Sequence, residues 1–167
     1  MIVFDASPLI LLAKTELLER FLGAFPEPVV IPQAVQVECC KNKESFDAQM
    51  IARLIKEKHI AVRKLKSRTA CNQIRKEFTL GIGEAEAIAL AQSGKASLIA
   101  IEDRNGVNAC KILKLPFIGV LGILIRMREK NLVSGEEAVR KLEPLQKFGR
   151  YRADIIEDVK RRLEAKK

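Results

Sequence analysis

Histidine is almost absent from this chain: His59 is the only one among 167 residues, and it stands in the polar run Lys56-Glu57-Lys58-His59. A single imidazole in a polar turn reads as a surface residue and not as a general base. The four cysteines, Cys39, Cys40, Cys71 and Cys110, contain no C-x-x-C pair, which with one histidine argues against a structural zinc centre. Adjacent Cys39 and Cys40 are poorly placed to bridge each other, so buried free thiols in a reducing compartment are expected. Long hydrophobic runs are missing too, which excludes a membrane span. The apolar N-terminal stretch has no basic region before it, carries Asp5 in its middle and lacks a small-residue cleavage site. It is therefore not read as a signal peptide, and the expected location is the cytoplasm. No Gly-x-Gly-x-x-Gly follows a strand. Gly81-Ile82-Gly83 precedes an acidic helix that would repel a pyrophosphate, which excludes a dinucleotide site.

What is present is an ordinary globular composition, 48% hydrophobic and 31% charged, in a length that suits one domain over 1–167 with a self-sufficient core. Thirty Lys and Arg against twenty-one Asp and Glu leave a net charge of +9, so nucleic acid is the first partner to consider. Between Lys41 and Leu80 there are eleven basic residues and four acidic ones. The segment 150–167 reads as a basic C-terminal helix or tail, packed separately or mobile.

Ile2 to Phe4 reads as a short buried strand, with Ser7 as N-cap and Pro8 opening a helix. Thr15 to Ala24 is expected to be helical, Val29 to Ile31 a second strand, and Gln33 to about Lys41 a helix with Ala34, Val35 and Val37 turned inward. Helices are also expected over Phe46 to Glu57, Arg68 to Phe78, Glu84 to Gln92, Asp103 to Leu113 and Leu121 to Lys130. Strands are expected at Ile60 to Val62, Leu98 to Ile101 and Phe117 to Gly119. Ser134-Gly135-Glu136-Glu137 has capping-box spacing, and a last helix covers Asp154 to Leu163. Such alternation predicts an α/β fold, a three-layer α/β/α sandwich around a mainly parallel sheet.

Acids recur at the carboxyl ends of these strands. Asp5 follows the first strand, Glu38 lies in the helix after the second, Glu84 opens the alanine-rich helix, and Glu102-Asp103 follows the strand beginning at Leu98. A parallel sheet can bring such positions to one edge, where ligands bind. Carboxylates gathered there repel one another unless a cation neutralises them, and oxygen-only donors select Mg2+ or Mn2+. Such a site can deprotonate water and stabilise charge on a phosphate, so phosphodiester hydrolysis is the predicted chemistry. Each acid also has a bland account. Asp5 and Glu102-Asp103 can be helix caps, Glu84 a helix-dipole partner, and Glu38 a solvated surface residue. A phosphatase that opens with an aspartate after its first strand would need a second Asp where Ser7 stands.

Four pieces in order, Val3-Phe4-Asp5-Ala6-Ser7-Pro8-Leu9-Ile10, Ile31 to Glu38, Gly83-Glu84-Ala85-Glu86-Ala87-Ile88-Ala89-Leu90-Ala91, and Glu102-Asp103-Arg104 with Phe117 to Leu124, make the chain resemble the PIN-domain family. Within it, the VapC-like toxin ribonucleases and their relatives are the group it is most similar to. The resemblance implies a PIN fold and cleavage of single-stranded RNA at a divalent-metal site. It carries over Asp5, Glu38, Glu84 and Asp103 as the four acids, with Asp5, Glu84, Asp103 and Glu102 toward the metal and Ser7 holding a water. Glu84 and Glu86 are about 200° apart around a helix, so one of them faces the site, and Glu84 is chosen. Where relatives often carry Asp-Asp or Asp-Glu, this chain has Glu102-Asp103, so either residue can be the ligand. Relatives commonly form homodimers and, when they are toxins, are silenced by a small antitoxin. The rival expectation is a PIN-fold module that binds RNA or protein without cutting.

Overall fold

A computed structural model describes residues 1–42, 44–65, 67–149 and 151–165. Five strands, β1 (Ile2–Phe4), β2 (Val29–Pro32), β3 (Ile60–Arg63), β4 (Leu98–Ala100) and β5 (Phe117–Ile118), form one sheet in the order β3-β2-β1-β4-β5. Every pairing is parallel. The sequence led us to expect a mainly parallel sheet, and it is wholly so. The order places β1 at the centre, where Ile2 opposes both Val29 and Leu98.

Alternation along these strands feeds two cores, as the two-residue period of a strand requires. Ile2, Phe4, Val29, Ile31 and Ala100 pack with one set of helices, and Val3, Val30, Ile99 and Ile101 with another. The first layer contains α1 (Ala6–Lys14), α2 (Leu18–Ala24), α3 (Gln33–Cys39), α4 (Phe46–Lys56), α8 (Val120–Glu129), α9 (Gly135–Gly149) and α10 (Ala153–Glu164). The opposite layer contains α5 (Arg68–Phe78), α6 (Ile82–Ser93) and α7 (Arg104–Ile112). Ala85, Ala87, Ala89 and Ala91 are buried, and their small side chains let α6 lie close against β1, β2 and β4.

Several local expectations change. Helix α1 starts at Ala6, so Asp5, not Ser7, occupies the N-cap position in extended backbone. Pro8 is then the third helical residue, where its missing N–H costs no intrahelical bond. The next helix waits until Leu18, because Thr15 ends α1 and Glu16 adopts a positive φ of 58°. Val37 is 65% exposed, since Val35 and Cys39 form the inward stripe of α3. Gly81 serves as the N-cap of α6, which therefore includes Ile82 and Gly83. At the other end, Val159 and Leu163 of α10 are buried in the same cluster as Phe4, so this helix packs on the core through α8 and α9. Arg150 of the basic tail lies outside the described residues, as do Lys166 and Lys167.

Candidate active site

Asp5 is the only buried carboxylate among the described residues, at 3% exposure. It is carried there because β1 must end in the sheet: the Asp5 amide donates to Ala100 O at 3.0 Å, which pins its backbone beside β4. Burial, followed by the like charges of Glu84 and Glu38, pushes the carboxyl up to about 7, against the stabilising amides of Ala6 and Ser7.

Gly83 explains how these acids come close. A Cβ at this position would lie 3.2 Å from Glu38 Oε2 and 3.7 Å from Asp5 Oδ1, with Val35 Cγ2 at 3.5 Å. Glycine therefore leaves α6 against α3 with room for two carboxylates between them. One turn position later, Glu84 accepts the Gly81 amide at 2.8 Å through Oε2. Its carboxyl is raised by burial and then by Asp103 and Glu38, with the Gly81 amide opposing. Glu86 points elsewhere, accepting the Ala34 amide at 3.0 Å, and so completes the start of α3.

The Glu102-Asp103 pair divides its work. Asp103 caps α7, its Oδ1 accepting from Asn105 N at 2.7 Å and Gly106 N at 3.1 Å. Glu102 accepts the Val120 amide at the start of α8 through Oε1 and the Tyr151 hydroxyl at 2.9 Å through Oε2. Burial raises the Glu102 carboxyl, while those two donors act against the rise. A Cβ on Gly119 would approach Glu102 Oε1 to 2.9 Å, so the missing side chain leaves room for this carboxylate in its present position.

Glu84, Glu102 and Asp103 line a cavity of about 480 Å³ together with Ser7, Ile10, Leu11, Lys14, Phe148 and Gly149. Glu38 borders a neighbouring depression of about 560 Å³, which shares Ile10 and Lys14 with the first. None of the ion pairs among the described residues uses Asp5, Glu38, Glu84, Glu102 or Asp103. The cleft thus concentrates carboxylates that form no ion pair among the described residues, inside a protein of net charge +9.

The donors are carboxylate and hydroxyl oxygens, a chemistry that fits a hard divalent ion. Cys39 is no competitor, because it is buried and its thiol is pushed well above the ordinary range. The carboxylates are not yet closed into a ligand shell: among the described residues, no group of three or more His, Cys, Asp or Glu side chains is arranged to hold an ion.

Three cleft residues were not anticipated from sequence. Lys14 was legible in principle, since Ser7, Ile10, Leu11 and Lys14 follow helical spacing on one face of α1. Phe148, at the end of α9, and Tyr151, which follows it and reaches the site through Glu102, had no such signal, because tertiary packing alone brings them there. Among the described residues, no helix is long and apolar enough to cross a membrane. The four cysteines are free thiols.

No curated protein matches the chain. A family model described as a PIN domain matches residues 1–165. PIN domains are typically nucleases and generally use divalent metal ions. With the parallel five-stranded sheet and the acids at its carboxyl edge, a match of that extent shows that the chain belongs to the PIN-domain family.

Proposed function

We propose that this protein is a Mg2+- or Mn2+-dependent endoribonuclease that hydrolyses phosphodiester bonds in single-stranded RNA. The observation that carries this reading is Asp5: a buried carboxylate, raised to about 7 by burial and then by Glu84 and Glu38, next to acids that form no ion pair among the described residues. Such an arrangement is costly unless a positive charge arrives. Asp5, Glu84 and Asp103 would hold that charge, with Glu102 beside them. A divalent ion supplies the field that eases deprotonation of water and offsets charge gathering on the scissile phosphate.

The remaining work falls to the chain's own groups. Ser7, exposed in the first turn of α1, presents its hydroxyl on the cavity wall and orients water there. Glu38 is exposed and makes no ion pair among the described residues, which leaves its carboxylate open to substrate and water at the mouth of the neighbouring depression. Glu84 and Asp103 already accept backbone amides, so their orientations are set before substrate arrives. Along the strand's approach, basic residues of the region between 41 and 80 supply affinity for the phosphate backbone without sequence information. Asn72, Arg75, Lys76, Thr79 and Leu80 line a further depression beside the start of α6.

Incubation with labelled single-stranded RNA and Mn2+ tests the proposal. Cleavage is expected for the unmodified protein, none for Asp5→Asn or in excess chelator, and equal cleavage by the variant would refute it. A second reading, an RNA- or protein-binding module that does not cut, is favoured by one observation, the absence of a closed three-ligand group among the described residues. RNA binding of equal strength and salt dependence in the unmodified protein and Asp5→Asn, with no cleavage by either, would select it. A homodimer and an antitoxin-like partner remain part of the proposal on the strength of the motif resemblance, and sedimentation of the purified chain tests the first.

A further inference from the structure

One wall of the acidic cleft is not acidic. Lys14, in the last turn of α1, lines both the cavity that holds Glu84 and Asp103 and the depression bordered by Glu38 and Lys41. Its ammonium makes no ion pair among the described residues and instead stands 5.1 Å from the centre of the Phe148 ring. Phe148 is 44% exposed although it is a large apolar side chain, and it too lines the cavity. A half-exposed aromatic ring beside a cation that forms no ion pair among the described residues supplies what single-stranded nucleic acid requires: a platform for a base and a positive charge for the adjoining phosphate.

We propose that Lys14 and Phe148 form a nucleotide clamp, in which Phe148 stacks one unpaired base next to the scissile phosphate and Lys14 neutralises a neighbouring phosphate. The ligand class rests on the nuclease reading above, but the clamp acts in binding, before any bond is broken. It selects single strands, because a base held inside a duplex cannot offer its face to Phe148.

Fluorescence anisotropy with a labelled single-stranded RNA and the corresponding duplex, in chelator so that nothing is cut, separates the two claims. Phe148→Ala is expected to weaken single-strand binding by about 5- to 150-fold and duplex binding hardly at all, while Phe148→Trp restores it. Lys14→Ala is expected to weaken binding of both and to lower the salt dependence by about 0.7 per strand contact, with Lys14→Arg restoring the slope. Unchanged single-strand affinity in Phe148→Ala, equal losses on single strand and duplex, or no binding by the unmodified protein would overturn the clamp. If these binding changes appear in a protein that never cleaves RNA, the clamp stands and the nuclease assignment falls.

Discussion

Replacing Asp5 by asparagine should make the ion-free protein more stable and its function worse. The carboxyl is held at about 7 when folded against an ordinary 3.8. The folded state therefore binds the proton more tightly, and the contribution of this group to stability is complete below 3.8 and lost as pH rises through 7. At about 1.36 kcal/mol per pH unit, the contribution of this group has fallen by about 2 kcal/mol at pH 5 and by about 4 kcal/mol at pH 8. Asparagine carries no charge and escapes that loss, and the carboxylate's contacts with the Ala6 and Ser7 amides are already contained in the raised value. The gain is about 4 kcal/mol at pH 8, or about 8–16 °C in Tm for a domain of this size. It shrinks to about 2 kcal/mol at pH 5 and vanishes below pH 4. Urea unfolding in chelator and reductant measures it directly. Adding Mg2+ should then stabilise the unmodified protein at pH 8 and leave Asp5→Asn unmoved. A variant no more stable than its parent at pH 8, or a gap identical at both pH values, would refute the account of Asp5 as a buried, mutually repelled carboxylate.

Gly83→Ala places a methyl group 3.2 Å from Glu38 Oε2, so Mn2+-dependent cleavage should fall by about tenfold or more while urea stability changes by about 1 kcal/mol or less. Glu86→Gln should cost about 1 kcal/mol through a weaker cap on α3 and leave cleavage intact, whereas Glu84→Gln should abolish cleavage; matching activity losses in the two variants would contradict the orientations described above. Tyr151→Phe removes the hydroxyl donated to Glu102 at 2.9 Å, and denaturant titration should show a loss of about 1–2 kcal/mol, because a largely buried carboxyl loses a hydrogen-bond donor. Cys110, buried and pushed up to about 11, should react with iodoacetamide far more slowly in the folded protein than in urea, as read by mass spectrometry.

Much of the framework was legible in the chain itself. The β-branched runs at Ile2, Val29 and Leu98, separated by helices with three- and four-residue apolar spacing, dictate a parallel sheet with helices on both faces, because those periods are local. The acids at successive strand ends were visible for the same reason. The tertiary structure decided which neighbour of each pair turns where. Glu86 is drawn off by the Ala34 amide, while Glu84, Asp103 and Glu102 line the cavity, Glu102 held there between the start of α8 and Tyr151. It also brought Phe148 across to Lys14. Partners so far apart along the chain leave no periodic mark; only the packing of α9 on α1 and α8 selects them. The raised carboxyl of Asp5 belongs to that level too, since burial and the approach of Glu84 and Glu38 exist only once the sheet has assembled.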